Sequence, residues 1–248
     1  MRRTTRATPS PSPVIDPAML RRLLLIAVIA GAAAGLVATA FQAAKLWPLI
    51  AAAERYEAAS VHGGAAHGHD HAVHDHGDAW QPADGAERAA FTILFNILTG
   101  FGFALLLNGA LALRAAVGGA RPLDGRTGLL WGLAGFGCFA LAPALGLPPE
   151  LPGMAAADLV DRQVWWVATA LASAAGLACL AFARPVWAKA LGLVVLVIPH
   201  VVGAPRPADV GAVPAELAAE FVVASLLAAA MFWLVLGGVS GWLHRRMA

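Results

Sequence analysis

Apolar positions in this chain come in long blocks, and the polar residues gather in the gaps between them. The first block, Leu23 to Ala44, carries no charge until Lys45 closes it, and a helix needs about 20 apolar residues to cross a hydrocarbon core. Hydropathy and helix breakers place further blocks near 91–113, 128–145, 163–183, 186–203 and 217–243. The fifth is the weakest, because Trp187 and Lys189 enter it and Pro199 and His200 interrupt its far end. The pattern predicts an all-α integral membrane protein, a polytopic bundle of about six transmembrane helices. The count becomes five if the first is cleaved or the fifth is re-entrant. Composition agrees: of 248 residues 59% are hydrophobic and 13% charged, a balance that suits a membrane domain rather than a soluble one.

Charge then orients the blocks. With six crossings, one side collects Arg2, Arg3, Arg6, Arg21, Arg22, Arg114, Arg121, Arg126, Arg184, Lys189, Arg245 and Arg246, most of the 17 basic residues. Lys45, Arg55, Arg88, Arg162 and Arg206 fall on the other. Positive charge stays inside, so both termini are expected in the cytoplasm of a multi-pass protein of the cell (inner) membrane. Residues 1–18, rich in Arg, Thr, Ser and Pro, read as a disordered cytoplasmic tail before a membrane domain at 19–246. The first block with Ala38, Thr39 and Ala40 also resembles a secretory signal with a small-residue cleavage site, although its apolar run is longer than a signal core. The net charge of +2 is a residue of this segregation and no nucleic-acid footprint. Cys138 and Cys179 lie in apolar runs and support no disulfide framework.

The external loop at 45–90 carries the clearest chemistry. His62, His67, His69, His71, His74 and His76 alternate with Asp70, Asp75 and Asp78 in HGHDHAVHDHGDAW. Such a tract either solubilises a loop or binds metal, and the density of imidazole favours metal. Imidazole and carboxylate suit borderline divalent ions, with Ni, Cu and generally Zn held more tightly than Co(II) at a flexible site. The rings must be neutral to bind, so capture should fade below the ordinary His pKa of about 6.5.

Polar groups at the span edges extend the reading. Glu216 and Glu220 are four apart, on one face at the external end of the last helix. His200 and Glu150 fall on the same side, so the four make a candidate cation mouth. The glutamates also suit a helix macrodipole. Gln42, Asn96, Thr99 and Asn108 line a pore or, more commonly, bond between helices. Met154, Met231 and the cysteines read as gap-filling packing. Trp47, Trp165, Trp166 and Trp242 read as interfacial anchors. Gly31 with Gly35, Gly128 with Gly132 and Gly237 with Gly241 would let helix backbones approach closely.

The only lysines are Lys45 and Lys189, each preceded by alanines, so the chain carries no phosphate loop of the GxxxxGK[ST] kind. HExxH and GxSxG are absent too. An enzyme is not expected, and energy must come from a gradient or another subunit. The loop, followed by DGAERAAFTILFNILTGFGFALLL, GLLWGLAGF, LAPALGLPPELPGM, DRQVWW, IPHVVGAP, VPAELAAEF and GGVSGWLHRR, resembles the predicted cobalt transporter subunit CbtA family from about Met19 to Arg246. The resemblance implies a cobalt uptake component linked to cobalamin synthesis, five spans, and a small single-span histidine-bearing partner, CbtB. Cobalt is then the expected cargo, with Ni or Zn as alternatives, and lipid and the small subunit the expected partners. It supports the loop histidines as the collecting part and leaves the roles of Glu150, His200, Glu216 and Glu220 to the chemistry above. A non-transporting metal-binding scaffold or sensor is the rival.

Overall fold

The computed structural model describes residues 17–63, 83, 85–116, 123–207, 211 and 213–247, at 57–63 and 116 by the backbone alone. Among them there is helix and no strand. Helix α1 (Pro17–Phe41) runs through a π turn (Gln42–Leu46) into α2 (Trp47–Gly63), forming one rod. Then come α3 (Ala86–Ala116), α4 (Gly125–Phe136), a second π turn (Gly137–Leu141), a short α5 (Ala142–Ala144), α6 (Leu159–Phe182), α7 (Val186–Val202) and α8 (Ala215–Arg246).

Each π turn stops one residue short of the one before a proline: Leu46 precedes Trp47 and Pro48, and Leu141 precedes Ala142 and Pro143. A proline ring clashes with the carbonyl four residues back and offers it no N–H. Those carbonyls belong to Ala44 and Phe139, both inside the π turns. The chain relieves the clash with a wider turn, closed by Trp47 N–H to Gln42 O and by Ala142 N–H to Gly137 O.

The helices alternate in direction. Gly31 meets Gly100 and Phe101, Arg22 meets His244, Gly128 meets Gly237 and Gly241, and Gly176 meets Gly192 and Leu196. These contacts set α1 antiparallel to α3 and α8, α4 to α8, and α6 to α7. Among the described residues, five helices are long and apolar enough to cross a membrane. The sixth traverse, α7, has 17 residues, about 25 Å of helix, which is short for a hydrocarbon core. It nevertheless returns the chain from the Phe182 level to the Trp165 level, where Trp165 Nε1 donates to Pro199 O at 3.3 Å. An even number of traverses leaves residues 17 and 247 at one end, together with Arg21, Arg22, Arg114, Arg126, Arg184, Arg245 and Arg246. This is the basic end; Glu54, Glu87, Glu150, Asp158, Asp161, Glu216 and Glu220 mark the opposite, acidic end.

The core forms where α1, α3, α4 and α8 meet. Ala27, Ala30, Ala34 and Ala38 make a stripe on α1 against Ala104, Leu107 and Leu111 of α3 and Phe232, Trp233 and Leu236 of α8. Phe139 stacks on Trp233 with ring centroids 5.5 Å apart, and Phe103 packs beside both. With Ala38 buried and α1 packed along this core, α1 is an integral member of the bundle. A second cluster, Leu46, Ala53, Leu151, Phe221, Ala224 and Ala228, ties α2 to the acidic end of α8.

Three expectations change. The segment 45–90 is not all loop: helix continues to Gly63 and resumes at Ala86, because WPLIAAAERYEAASV is rich in strong helix formers although too polar to count as a span. Residues 17 and 18, read as tail, form the first turn of α1; residues 1–16 lie outside the described residues. Trp165 is no interfacial anchor: it is buried and bonded to α7.

Candidate cation entry site

Of the loop ligands, His62 falls in the last turns of α2 without a described side chain. His67, His69, Asp70, His71, His74, Asp75 and His76 lie outside the described residues. The helices on either side of that segment are described, and they enclose a cleft of about 540 Å³. Gln42, Trp47, Ile50 and Glu54 line it from the α1–α2 rod, and Arg88 and Thr92 from α3. Arg88 Nη and Glu54 Oε lie 3.6 Å apart with both side chains about half exposed, an ion pair that contributes little and opens readily. Trp47, expected as an anchor, lines this cleft.

The floor of the cleft continues into the bundle as polar side chains. Asn96 Nδ2 of α3 donates to Gln42 Oε1 at 2.7 Å and to Thr39 Oγ1 at 2.9 Å. Thr39 in turn donates to Gly35 O. Gln42 therefore belongs both to the cleft and to the interhelical network. Below Asn96, Gly31, Gly35 and Gly100 bring the α1 and α3 backbones together. Nearer the basic end a second polar group is buried. Asn108 Nδ2 donates to Ala104 O at 2.7 Å and lies 3.5 Å from Ser240 Oγ. Asn108 Oδ1 faces His244 Nε2 at 2.7 Å, and Arg22 donates to the His244 carbonyl.

The remaining predicted residues stand apart. Glu150 is paired with Arg162. His200 packs edge-on against Trp165, with ring centroids 6.0 Å apart. Glu216 and Glu220 are exposed on the first turns of α8. Among the described residues no three of His, Cys, Asp and Glu gather in a way that could hold a metal ion, so these four form no single ring. Met154 accepts from Leu151 N–H and packs in the second cluster, and both cysteines are free. The reading of Asn96 and Asn108 as interhelical bonding residues holds, whereas the roles of Thr39, Glu54, Ser240 and His244 emerge only from the packed helices. Ser240 and His244 are four apart at the end of an apolar run, the same helical spacing that drew attention to Glu216 and Glu220.

No match is found among curated proteins or among solved structures. A family model described as probable cobalt transporter subunit (CbtA) matches residues 20–245. That interval takes in the π-bent rod, the cleft, the histidine-bearing segment and both buried polar groups, nearly the whole chain. The chain therefore belongs to the CbtA family of probable cobalt transporter subunits.

Proposed function

We propose that this subunit takes up a divalent transition metal, cobalt by family, through the cleft at the stem of its histidine-rich segment. The observation that carries the reading is that the α1–α2 rod and α3, which flank those histidines, enclose a cleft with Glu54, Gln42 and Thr92 on its walls. The acidic end faces outward, as the charge segregation favours. Imidazoles of His62, His67, His69, His71, His74 and His76, with Asp70 and Asp75, collect the ion and raise its concentration at the cleft. Glu54 exchanges Arg88 for the cation, at small cost because the ion pair is exposed. The amide oxygen of Gln42 then offers the next ligand towards the bundle. Glu216 and Glu220, exposed on the first turns of α8, add carboxylates at the same end of the bundle but apart from the cleft, as do Glu150 and His200. A small histidine-bearing subunit of the CbtB kind is the proposed partner.

Radioactive cobalt entry into proteoliposomes, with and without that partner, tests the scheme. Replacing all six loop histidines by alanine should lower entry roughly tenfold at low cobalt, with recovery at high cobalt, because local enrichment is what is lost. Glu54→Gln with Gln42→Leu should hold entry near that of empty vesicles at every concentration. Glu216→Ala with Glu220→Ala should give an intermediate loss. If no preparation passes cobalt while the loop still binds it, the protein is a metal-binding scaffold.

A further inference from the structure

The buried group at the basic end has no part in that entry scheme. His244 is an ionisable residue within a helix that crosses the bundle, 7% exposed, and its partners Asn108 and Ser240 are 1% and 0% exposed. Ionisable groups in such positions are rare and by default functional. The hydrogen bonds determine what the ring offers. Asn108 Nδ2 donates to the Ala104 carbonyl, and a carbonyl only accepts, so Asn108 Oδ1 is the atom facing His244 Nε2. Nε2 must therefore carry hydrogen, and neutral His244 keeps its free lone pair on Nδ1. No hydrogen bond to Nδ1 occurs among the described residues.

A metal ion fits this place poorly. No group of three metal-holding side chains exists among the described residues, and the Arg22 guanidinium, bonded to the His244 carbonyl at 2.7 Å, opposes a divalent cation about twice as strongly as a single added proton. A proton needs only one lone pair. The chain also has no phosphate loop and, as a transporter subunit, needs an external source of energy. Resting on the uptake reading above, we propose that the His244–Asn108–Ser240 group is a proton-binding site that couples a proton gradient to cation entry. A proton arriving from the acidic end forms an N–H bond at Nδ1, giving an imidazolium. That bond breaks when water at the basic end takes the proton, and the neutral ring returns. Asn108 holds Nε2–H throughout and keeps the tautomer.

Arg22 is the charged group bonded at His244, and further charges at this end of the packed helices come from the histidine's own helix and from α4. Arg22 belongs to α1, Arg245 and Arg246 to α8, and Asp124 and Arg126 to the start of α4, which packs on α8 at Gly241. From α3 the facing residues are the uncharged Ala104 and Asn108, since Arg114 is turned to the ring of Phe182, 4.4 Å away.

The test uses proteoliposomes of the full chain with the partner subunit, radioactive cobalt outside, a pH-sensitive dye inside, and an outside one pH unit more acid. In the wild type the gradient should raise cobalt accumulation, up to roughly tenfold for one coupled proton, and the interior should acidify with cobalt entry. His244→Gln keeps an N–H donor for Asn108 but cannot titrate. It should retain gradient-independent entry and lose both the stimulation and the acidification. Asn108→Asp, which keeps the acceptor but adds charge beside the ring, should move the midpoint of the pH profile of entry. Each variant is first required to elute as a single monodisperse peak. A His244→Gln protein that responds to the gradient like the wild type, or an unmoved midpoint in Asn108→Asp, overturns the coupling. A wild type that passes cobalt without regard to the gradient overturns the coupling alone, whereas one that passes none overturns the uptake reading with it.

Discussion

At the residue scale, the sequence identified the side chains worth watching but rarely their partners. Asn96 and Asn108 stood out as amides in apolar runs, yet only the packed helices put Asn96 on Gln42 and Asn108 on His244. Asp124 is a simpler case, because its partner is local. It caps α4 by accepting from Thr127 N–H at 2.8 Å. That hydrogen bond, chiefly, holds its carboxyl below the ordinary value of 3.8. A carboxylate with a lowered folded-state pKa stabilises the fold fully above its unfolded value and loses that contribution as pH falls through the folded one. Thermal melts in detergent should therefore separate wild type from Asp124→Ala at neutral pH, and the gap should narrow below about pH 4. A gap that stays constant through that range would show the carboxylate has no such role.

At the element scale, the glycine pairs turn from a weak motif into an arrangement. Gly128 and Gly132 of α4 lie against Gly237 and Gly241 of α8, and Gly31 and Gly35 of α1 against α3. A Cβ on any of these would come closer than 3.0 Å to the neighbouring backbone, which has no flexible end to move aside. The motif marked these helix faces correctly, but periodicity could not say which face meets which. A third contact, Gly176 with Gly192 between α6 and α7, is invisible to the motif because its glycines are on different helices and not four apart. Gly237→Ala should destabilise the protein by about 1–3 kcal/mol, as overpacking does. Gly102→Ala, where nothing lies within 4 Å, should be neutral or stabilising by up to about 1 kcal/mol from helix propensity. Urea or thermal unfolding of the two variants in the same detergent separates them, and equal effects would contradict the contact geometry. The π turns show the same limit on reading from sequence. Pro48 and Pro143 are visible in it, but whether a proline ends, kinks or widens a helix depends on what packs around it.

At the scale of the whole molecule, the number of traverses decides which end of the bundle each connection occupies. Hydropathy makes α7 the weakest span because Trp187 and Lys189 enter it and Pro199 and His200 interrupt its far end. Its packing along α6 and the bond from Trp165 to Pro199 make it a full return. The even count puts Arg206 at the acidic end and Arg245 at the basic end. Single cysteines in a background without Cys138 and Cys179 check this: Arg206→Cys should react with an impermeant maleimide added to intact cells, and Arg245→Cys should react only after permeabilisation. Reaction of both from outside would remove one traverse.

The sequence by itself determined the solvent, the helical class, the segregation of charge and the histidine tract, because these depend on composition and local order along the chain. A run of apolar residues must satisfy its backbone as helix in lipid whatever its neighbours are. Only the tertiary structure decided which helices touch, that the rod formed by α1 and α2 continues past the membrane-length block, and that Glu150, His200, Glu216 and Glu220 do not converge. It also brought Thr39, Gln42 and Asn96 into one network and Asn108, Ser240 and His244 into another. Those groupings join residues from helices far apart in the chain, and their distances depend on how closely glycine and alanine let the backbones approach, which no single helix contains.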